Sequence, residues 1–465
     1  MTDLLAARAQ MAMSLAFHIL FAIVGMAMPL LMVIAERLHQ RTGEPIYREL
    51  AERWSKGTAI MFAVGAVSGT VLSFELGLLW PQFMAFAGPI VGMPFSLEGF
   101  AFFLEAIFLG IFLYGRDRVS PRVHLLSGVM VLLAGTASAA FVLCANAWMN
   151  TPTGFTGSPA GGVTGVDPFA AMWNPAAFSE VLHMTCAAFA SVGFAVAGIH
   201  ATMLLRGVRR ELHRPALKIA LVVGAAFALL QPITGDVAAK HVAEHQPIKL
   251  AAMEGHWDTE RGAPFRIFGW PDEQAEETRW SLEIPYLLSF LAHGDPQAEV
   301  VGLKEFPRDE RPPVAVVHVA FQIMVGCGLA MIAVAGLGAA FAVRRRELPD
   351  WYLRLLVVSA PLGVIAIEAG WTVTEVGRQP WIIQGILRTA DAVTPTPHLV
   401  IPFLAFTGLY VLLGVTVIVL LRRVVFAADR KQPVPSDMLS GTSTKEVPMN
   451  PASRDMSPKT PTEAA

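Results

Sequence analysis

Residues 371–381, WTVTEVGRQPW, stand at the end of an apolar run of membrane-spanning length. They set Glu375, Arg378 and Gln379 between two tryptophans. Ionisable groups near the end of a membrane helix are costly unless they pair, ligate something or face water. The rest of the chain has the composition of a membrane protein. Of 465 residues, 54% are hydrophobic and 15% are charged, against about 25% charged in a typical soluble chain. Mean hydropathy is +0.52.

A span needs about 20 mostly apolar residues. The stretches 12–35, 57–80, 96–114, 123–147, 178–205, 216–235, 314–343, 351–374 and 397–421 meet this. The expected fold is therefore an all-α integral membrane protein with about nine transmembrane helices. The connecting loops alternate in charge. Arg and Lys crowd 37–57, 115–122, 206–218 and 344–354, while 81–95 and 148–177 hold none. The positive-inside rule then places the N-terminus outside and the C-terminus in the cytoplasm. MTDLLAARAQ at the N-terminus does not read as a cleavable signal peptide.

The chain divides into a membrane unit, 1–431, and a Pro-, Ser- and Thr-rich tail, 432–465, expected to be a disordered cytoplasmic tail. Residues 236–313 form a long loop on the outer side, a length that is usually functional. A net charge of −2 without a basic face gives no reason to expect nucleic acid. Cys144, Cys186 and Cys327 lie in apolar segments without a CxxC pattern, so covalent haem attachment is unsupported.

A few polar residues interrupt the spans. His18 lies in MSLAFHILF, His183 in SEVLHMTC, Met324 in FQIMVGCG, and Glu375 ends the eighth span. Taken singly, each histidine reads more readily as a hydrogen-bonded core residue, and Met324 as filler. Under the topology above all four fall in the outer half of the membrane. Imidazole and thioether together make an axial pair for a low-spin haem. Glu98 and Glu105 in FSLEGFAFFLEAIF are seven residues apart, on one helix face and about 10 Å apart along its axis. Carboxylates in a row suggest a proton relay, or two separate structural groups. Glu75 is a weaker candidate of the same kind. In the outer loop, Lys249 and Glu254 of IKLAAMEGHW read as a solvated charge pair. His241, His245 and His256 lie nearby, at a spacing that fits no standard zinc pattern.

On these residues the chain resembles subunit I of cytochrome bd-type quinol oxidases, from about residue 5 to 422, with GRQPW at 377–381 the most specific motif. The resemblance implies a quinol:oxygen oxidoreductase in the bacterial cytoplasmic membrane. It assigns His18 and Glu375 to two high-spin haems, and His183 and Met324 to a low-spin haem b. It assigns Lys249 and Glu254 to quinol oxidation, and aligns Glu98 and Glu105 with the family's third-span glutamates. Trp371 would sit between haems, and Arg378 would offset propionate or ligand charge. The cofactors implied are a low-spin haem b, a high-spin haem b, and haem d or a further haem b. The partners implied are membrane quinol, O2, subunit II and a single-span accessory subunit. The outer loop is short, and Gln322 stands where the long-loop branch has arginine. Both features are similar to the short-loop group that includes cyanide-insensitive oxidases. Two other classes compete: a membrane haem-b electron carrier, which leaves His18 and Glu375 without a role, and a channel or transporter, which needs no haem. The absence of an internal repeat weakens the last.

Overall fold

The computed structural model describes residues 1–159 and 161–425. The expected tail, 432–465, lies outside the described residues. Among these, nine helices are long and apolar enough to cross a membrane: α1 Asp3–Thr42, α2 Pro45–Leu79, α3 Pro81–Tyr114, α4 Pro121–Asn150, α5 Ala177–Leu205, α6 Arg210–His245, α7 Val314–Val343, α8 Asp350–Val376 and α9 Val400–Val425.

Local chemistry starts and stops these helices. The Thr2 hydroxyl accepts from the Leu5 amide to cap α1, and Asp3 complements the first turn. Gly43, at φ 72°, ends α1 in the left-handed conformation. Pro45, Pro81 and Pro121 each open a helix, where a missing N–H costs nothing. Gly43 and Glu44 alone separate α1 from α2, and Trp80 alone separates α2 from α3. The 40 residues of α1 extend about 60 Å, so it projects well beyond a bilayer core of about 30 Å.

Two sequence expectations are corrected. The segment 81–95 is helical from Pro81 onwards, although its Gly and Pro residues read as a connection. Phe83, Phe86, Ala87, Ile90 and Val91 recur at helical spacing, and their burial carries the helix through Pro89. The segment 236–313 is shorter and more structured than a free loop. Helix α6 continues to His245, and a short helix, Pro247–Glu254, follows at once. Small antiparallel ladders close the rest, Phe265–Ile267 on Leu282–Ile284 and Trp270–Asp272 on Glu277–Arg279.

The helices pack as neighbouring pairs, α1 with α2, α3 with α4, α5 with α6, and α7 with α8. The backbones of α5 and α6 meet at Gly193 and Gly224, where a β-carbon would collide. Helix α5 is the most enclosed span and α9 the least. Large apolar side chains such as Phe74, Phe100, Phe103, Leu404 and Val411 point outward, as a lipid-facing or subunit-facing surface requires.

The two ends of the bundle differ. One end is laced by ion pairs: Arg116 to Glu36 at 2.7 Å, and Arg209 to Glu49 at 2.5 Å. The opposite end is sealed by an apolar cluster containing Ala6, Leu79, Trp80, Phe83, Trp148 and Ile383. The WTVTEVGRQPW stretch lies at this second end.

Candidate functional site

Glu375 is held from two sides. Its Oε2 accepts from Arg378 at 2.6 Å, and its Oε1 accepts from Asn146 Nδ2 at 2.6 Å. Two lone-pair positions of the carboxylate stay open, enough for a further ligand. Arg378 is almost fully buried, donates to Asn150 Oδ1 at 3.3 Å, and leaves its Nε without a partner. The same Asn150 oxygen accepts from Lys249 Nζ at 2.8 Å. Asn150 Nδ2 donates to Glu180 Oε1 at 3.0 Å, and the Asn150 carbonyl accepts from Gln246 Nε2 at 2.7 Å. The last residue of α4 therefore joins α8, α5 and the short helix Pro247–Glu254. Asn146 and Asn150, four apart on α4, were the available signal, because two amides on one face of an apolar span need partners. Glu180 precedes His183 by one turn and carries no such signal.

Lys249 and Glu254 are neither solvated nor paired, which corrects the sequence expectation. They are 4% and 3% exposed. Five residues apart on a helix, they turn to different sides. Burial, reinforced by the charge of Arg378, holds the Lys249 ammonium below its usual range. Burial pushes the Glu254 carboxyl up to about 8 against the opposing pull of Arg266, and Glu254 Oε2 has no partner. His318 of α7 anchors this segment, with Nδ1 2.8 Å from the Met253 carbonyl. Gln322 does so too, donating to the Arg266 carbonyl at 2.9 Å. His241 and His245 stack at 4.2 Å, while His256 bonds the Val300 carbonyl. Among the described residues no cluster of three metal-binding side chains forms.

His18 and His183 share one arrangement. His18 Nδ1 lies 2.9 Å from Ser68 Oγ, whose hydrogen goes to the Gly65 carbonyl. His183 Nδ1 lies 3.1 Å from Thr234 Oγ1, whose hydrogen goes to Gln231. Where the hydroxyl gives its hydrogen to the neighbouring carbonyl it accepts from the ring, and Nδ1 then carries the proton. In that tautomer Nε2 keeps its lone pair, the state a metal ligand requires. A glycine stands beside each ring: a β-carbon at Gly69 would lie 3.0 Å from His18 Cε1, and one at Gly235 3.4 Å from His183 Cε1. At Gly370 it would lie 3.0 Å from Met324 Sδ. A side chain at any of these three glycines would press on the ring or the thioether beside it. The donor set, two imidazole nitrogens, a thioether and a carboxylate, fits axial ligation of haem iron. The structure sets His183 against α6 and Met324 against α8. Trp371, one turn before Glu375, packs on the main core with its indole N–H unpartnered.

Glu98 and Glu105 both turn towards α4. Glu98 Oε1 accepts from Ser138 Oγ at 3.4 Å. The Glu105 carboxyl lies against Gly135 and Gly25, and its Oε1 has no partner.

The chain matches known proteins over most of its length. The profile of the family described as cytochrome bd terminal oxidase subunit I matches residues 6–428. A putative cytochrome bd menaquinol oxidase subunit I of Bacillus subtilis is 37% identical over 95% of this chain and 100% of its own length. Cytochrome bd-II ubiquinol oxidase subunit 1 of Escherichia coli is 31% identical over 90% of this chain and 95% of its own. The structure of bd oxidase from Geobacillus thermodenitrificans superimposes with a TM-score of 0.86 at 40% identity, covering 93% of this chain and 99% of that one.

Proposed function

This chain belongs to the cytochrome bd terminal oxidase subunit I family, and from that premise we propose specific roles for its residues. As a family member it is a multi-pass subunit of a bacterial inner-membrane enzyme that oxidises quinol and reduces oxygen. The matching arrangement of His18 and His183, each with Nδ1 tied and Nε2 open, carries the assignment.

His183 and Met324 hold the low-spin haem b. His18 and Glu375 hold the two high-spin haems, a haem b and either haem d or a further haem b. When bound, the haems supply the one-electron steps and the iron that meets oxygen. Arg378, held by Asn150, neutralises charge beside Glu375 on one oxygen, while Asn146 fixes the other. Quinol meets the short helix Pro247–Glu254. There Glu254 takes a proton from the hydroxyl and Lys249 faces the oxygen that becomes charged. The bond from Lys249 through Asn150 to Arg378 ties this helix to the Glu375 end of α8.

The ion-paired, arginine-rich end of the bundle is the cytoplasmic end by the positive-inside rule, which sets the N-terminus and the quinol segment outside. Protons for water then cross from the cytoplasm, reaching Glu105 before Glu98, with Ser138 beside the latter. Moving charge across the membrane is worth about 2.3 kcal/mol per charge per 100 mV, so this uptake conserves energy without a separate pump. Subunit II is the structural partner, with a single-span accessory subunit beside it.

The test is spectroscopic. Purified His183→Ala and Met324→Leu oxidases should lose the six-coordinate low-spin signal, and His18→Ala a high-spin haem by pyridine haemochrome. An unchanged reduced low-spin spectrum in both former variants sinks the assignment.

A further inference from the structure

Gln10, Ser14, Glu75 and Tyr410 are buried neighbours between α1, α2 and α9, and Gln10 Oε1, Ser14 Oγ, Glu75 Oε2 and the Tyr410 hydroxyl complete no bond of good geometry. Their residues are 1%, 0%, 1% and 3% exposed. Gln10 Nε2 donates to Glu75 Oε1 at 2.9 Å, so the cluster is already partly ordered. The Ser14 hydroxyl lies beside both Glu75 and Tyr410 and, having one hydrogen, can donate to only one of them. The Tyr410 ring is fixed against Phe17 at 4.7 Å. Buried polar groups in native proteins find partners, in the protein or in ordered water, so four such groups at one spot call for a shared partner.

The inventory of donors and acceptors names the missing partner. Gln10 Oε1 can only accept. Ser14 and Tyr410 each have one hydrogen to give. Water donates two hydrogen bonds and accepts two, so it completes all four groups at once. If Glu75 Oε2 is protonated and donates, one of the two hydroxyls accepts from the water instead and the count still closes. A metal cation would use the oxygens but leave the two hydroxyl hydrogens without acceptors.

The position gives this water a role. Ser14 and Gln10 lie four and eight residues before His18, on the same face of α1, about 6 and 12 Å along the axis. On α2, Glu75 lies two turns beyond Ser68, the residue that holds His18. A polar ladder therefore runs from the His18–Ser68 pair towards the N-terminal end of α1 through an otherwise apolar interface. We propose that Gln10, Ser14, Glu75 and Tyr410 hold an ordered water molecule, and that this is the station through which product water leaves the His18 side of the oxygen-reducing site. The second half rests on the assignment of His18 to that site.

The experiment uses the purified two-subunit oxidase. A high-resolution electron cryomicroscopy map should show density within hydrogen-bond distance of all four oxygens. An empty site with the side chains bonded to one another, or density at metal-ligand distances, overturns the water site. The double variant Gln10→Leu with Glu75→Leu should keep its haems and its rate in a single reaction of reduced enzyme with oxygen, while steady turnover falls several-fold. Glu75→Gln, which keeps hydrogen-bonding capacity, should retain both the density and the turnover. Wild-type steady turnover in the double variant, or equal slowing of the single reaction, overturns the exit role. Should the double variant fail to assemble, Tyr410→Phe carries the same readouts. Retention of all haems in His18→Ala overturns the His18 assignment alone, and the map still decides the water site.

Discussion

Helix α4 carries two polar stretches that behave in opposite ways. At its end, Asn146 and Asn150 gather Glu375, Arg378, Lys249 and Glu180 into a network in which each of these four side chains has a hydrogen-bonding partner. Three turns earlier, Gly135 and Ser138 face Glu105 and Glu98, which have one long bond between them. Low dielectric makes both arrangements consequential. A carboxylate clamped from two sides, like Glu375, is fixed in place and suits ligation. A carboxyl with open oxygens, like Glu105, is free to take a proton from one neighbour and pass it to the next.

The comparison is broken most severely at Glu375. Glu375→Ala should remove one high-spin haem and abolish oxygen reduction, measured by haem stoichiometry and oxygen uptake. Full haem content in that variant would make the clamp purely structural. Glu105→Ala should retain its haems and slow oxygen reduction by about 100-fold, the lower range for losing a positioned proton carrier. It should also suppress voltage generation in vesicles. A full-rate, fully electrogenic Glu98→Ala/Glu105→Ala enzyme would leave the pair as structural groups.

Asn150→Leu sharpens the other half. It strands Lys249 and weakens the hold on Arg378, at a cost of about 1–3 kcal/mol for a buried group left unsatisfied. Quinol oxidation should fall about tenfold, taking about 1.4 kcal/mol per decade, with oxygen reduction by pre-reduced enzyme little changed. Equal loss in both assays would mean that Asn150 serves the Glu375 end rather than the quinol segment.

The smallest effect is a pH dependence. The Glu254 carboxyl is raised by burial to about 8, above its ordinary value near 4.5. Between those values the folded protein holds a proton that the unfolded chain has lost. Its contribution to stability is full below the lower value and is lost as pH rises to about 8. Glu254→Gln lacks this slope. The thermal midpoint of wild type relative to the variant should therefore fall by a few degrees between pH 5 and pH 8. A constant difference would place Glu254 in water.

The nine spans and the arginine-rich connections were legible because lipid permits few solutions for an apolar chain, and hydropathy reports them directly. The haem-ligand candidates were legible because imidazole and carboxylate are conspicuous in apolar helices. Helix 81–95 was missed because Pro89 and Pro94 signal a break locally, while the burial of Phe83 and Phe86 is decided by other helices. Lys249 and Glu254 misled for a related reason. Charged residues in a connecting segment read as solvated, and only the fold puts Asn150 and Arg378 around the lysine. Asparagine forms no motif, so the residue that joins the short helix Pro247–Glu254 to the core left only a spacing as its trace. The serine and threonine that fix the two histidines left none.

The connections themselves bear on how such a subunit can diverge. Trp80 alone joins α2 to α3, and any added residue there would rotate one helix against the other. The segment between His245 and Val314 is bounded instead by α6 and α7, which already pack on each other. Away from the buried helix Pro247–Glu254, lengthening it costs mainly closure entropy, about 0.6 kcal/mol for each doubling. The molecule thus keeps almost no slack in length between its first three helices and keeps it between His245 and Val314, so a longer segment there leaves the helices that carry His18, His183, Met324 and Glu375 in place.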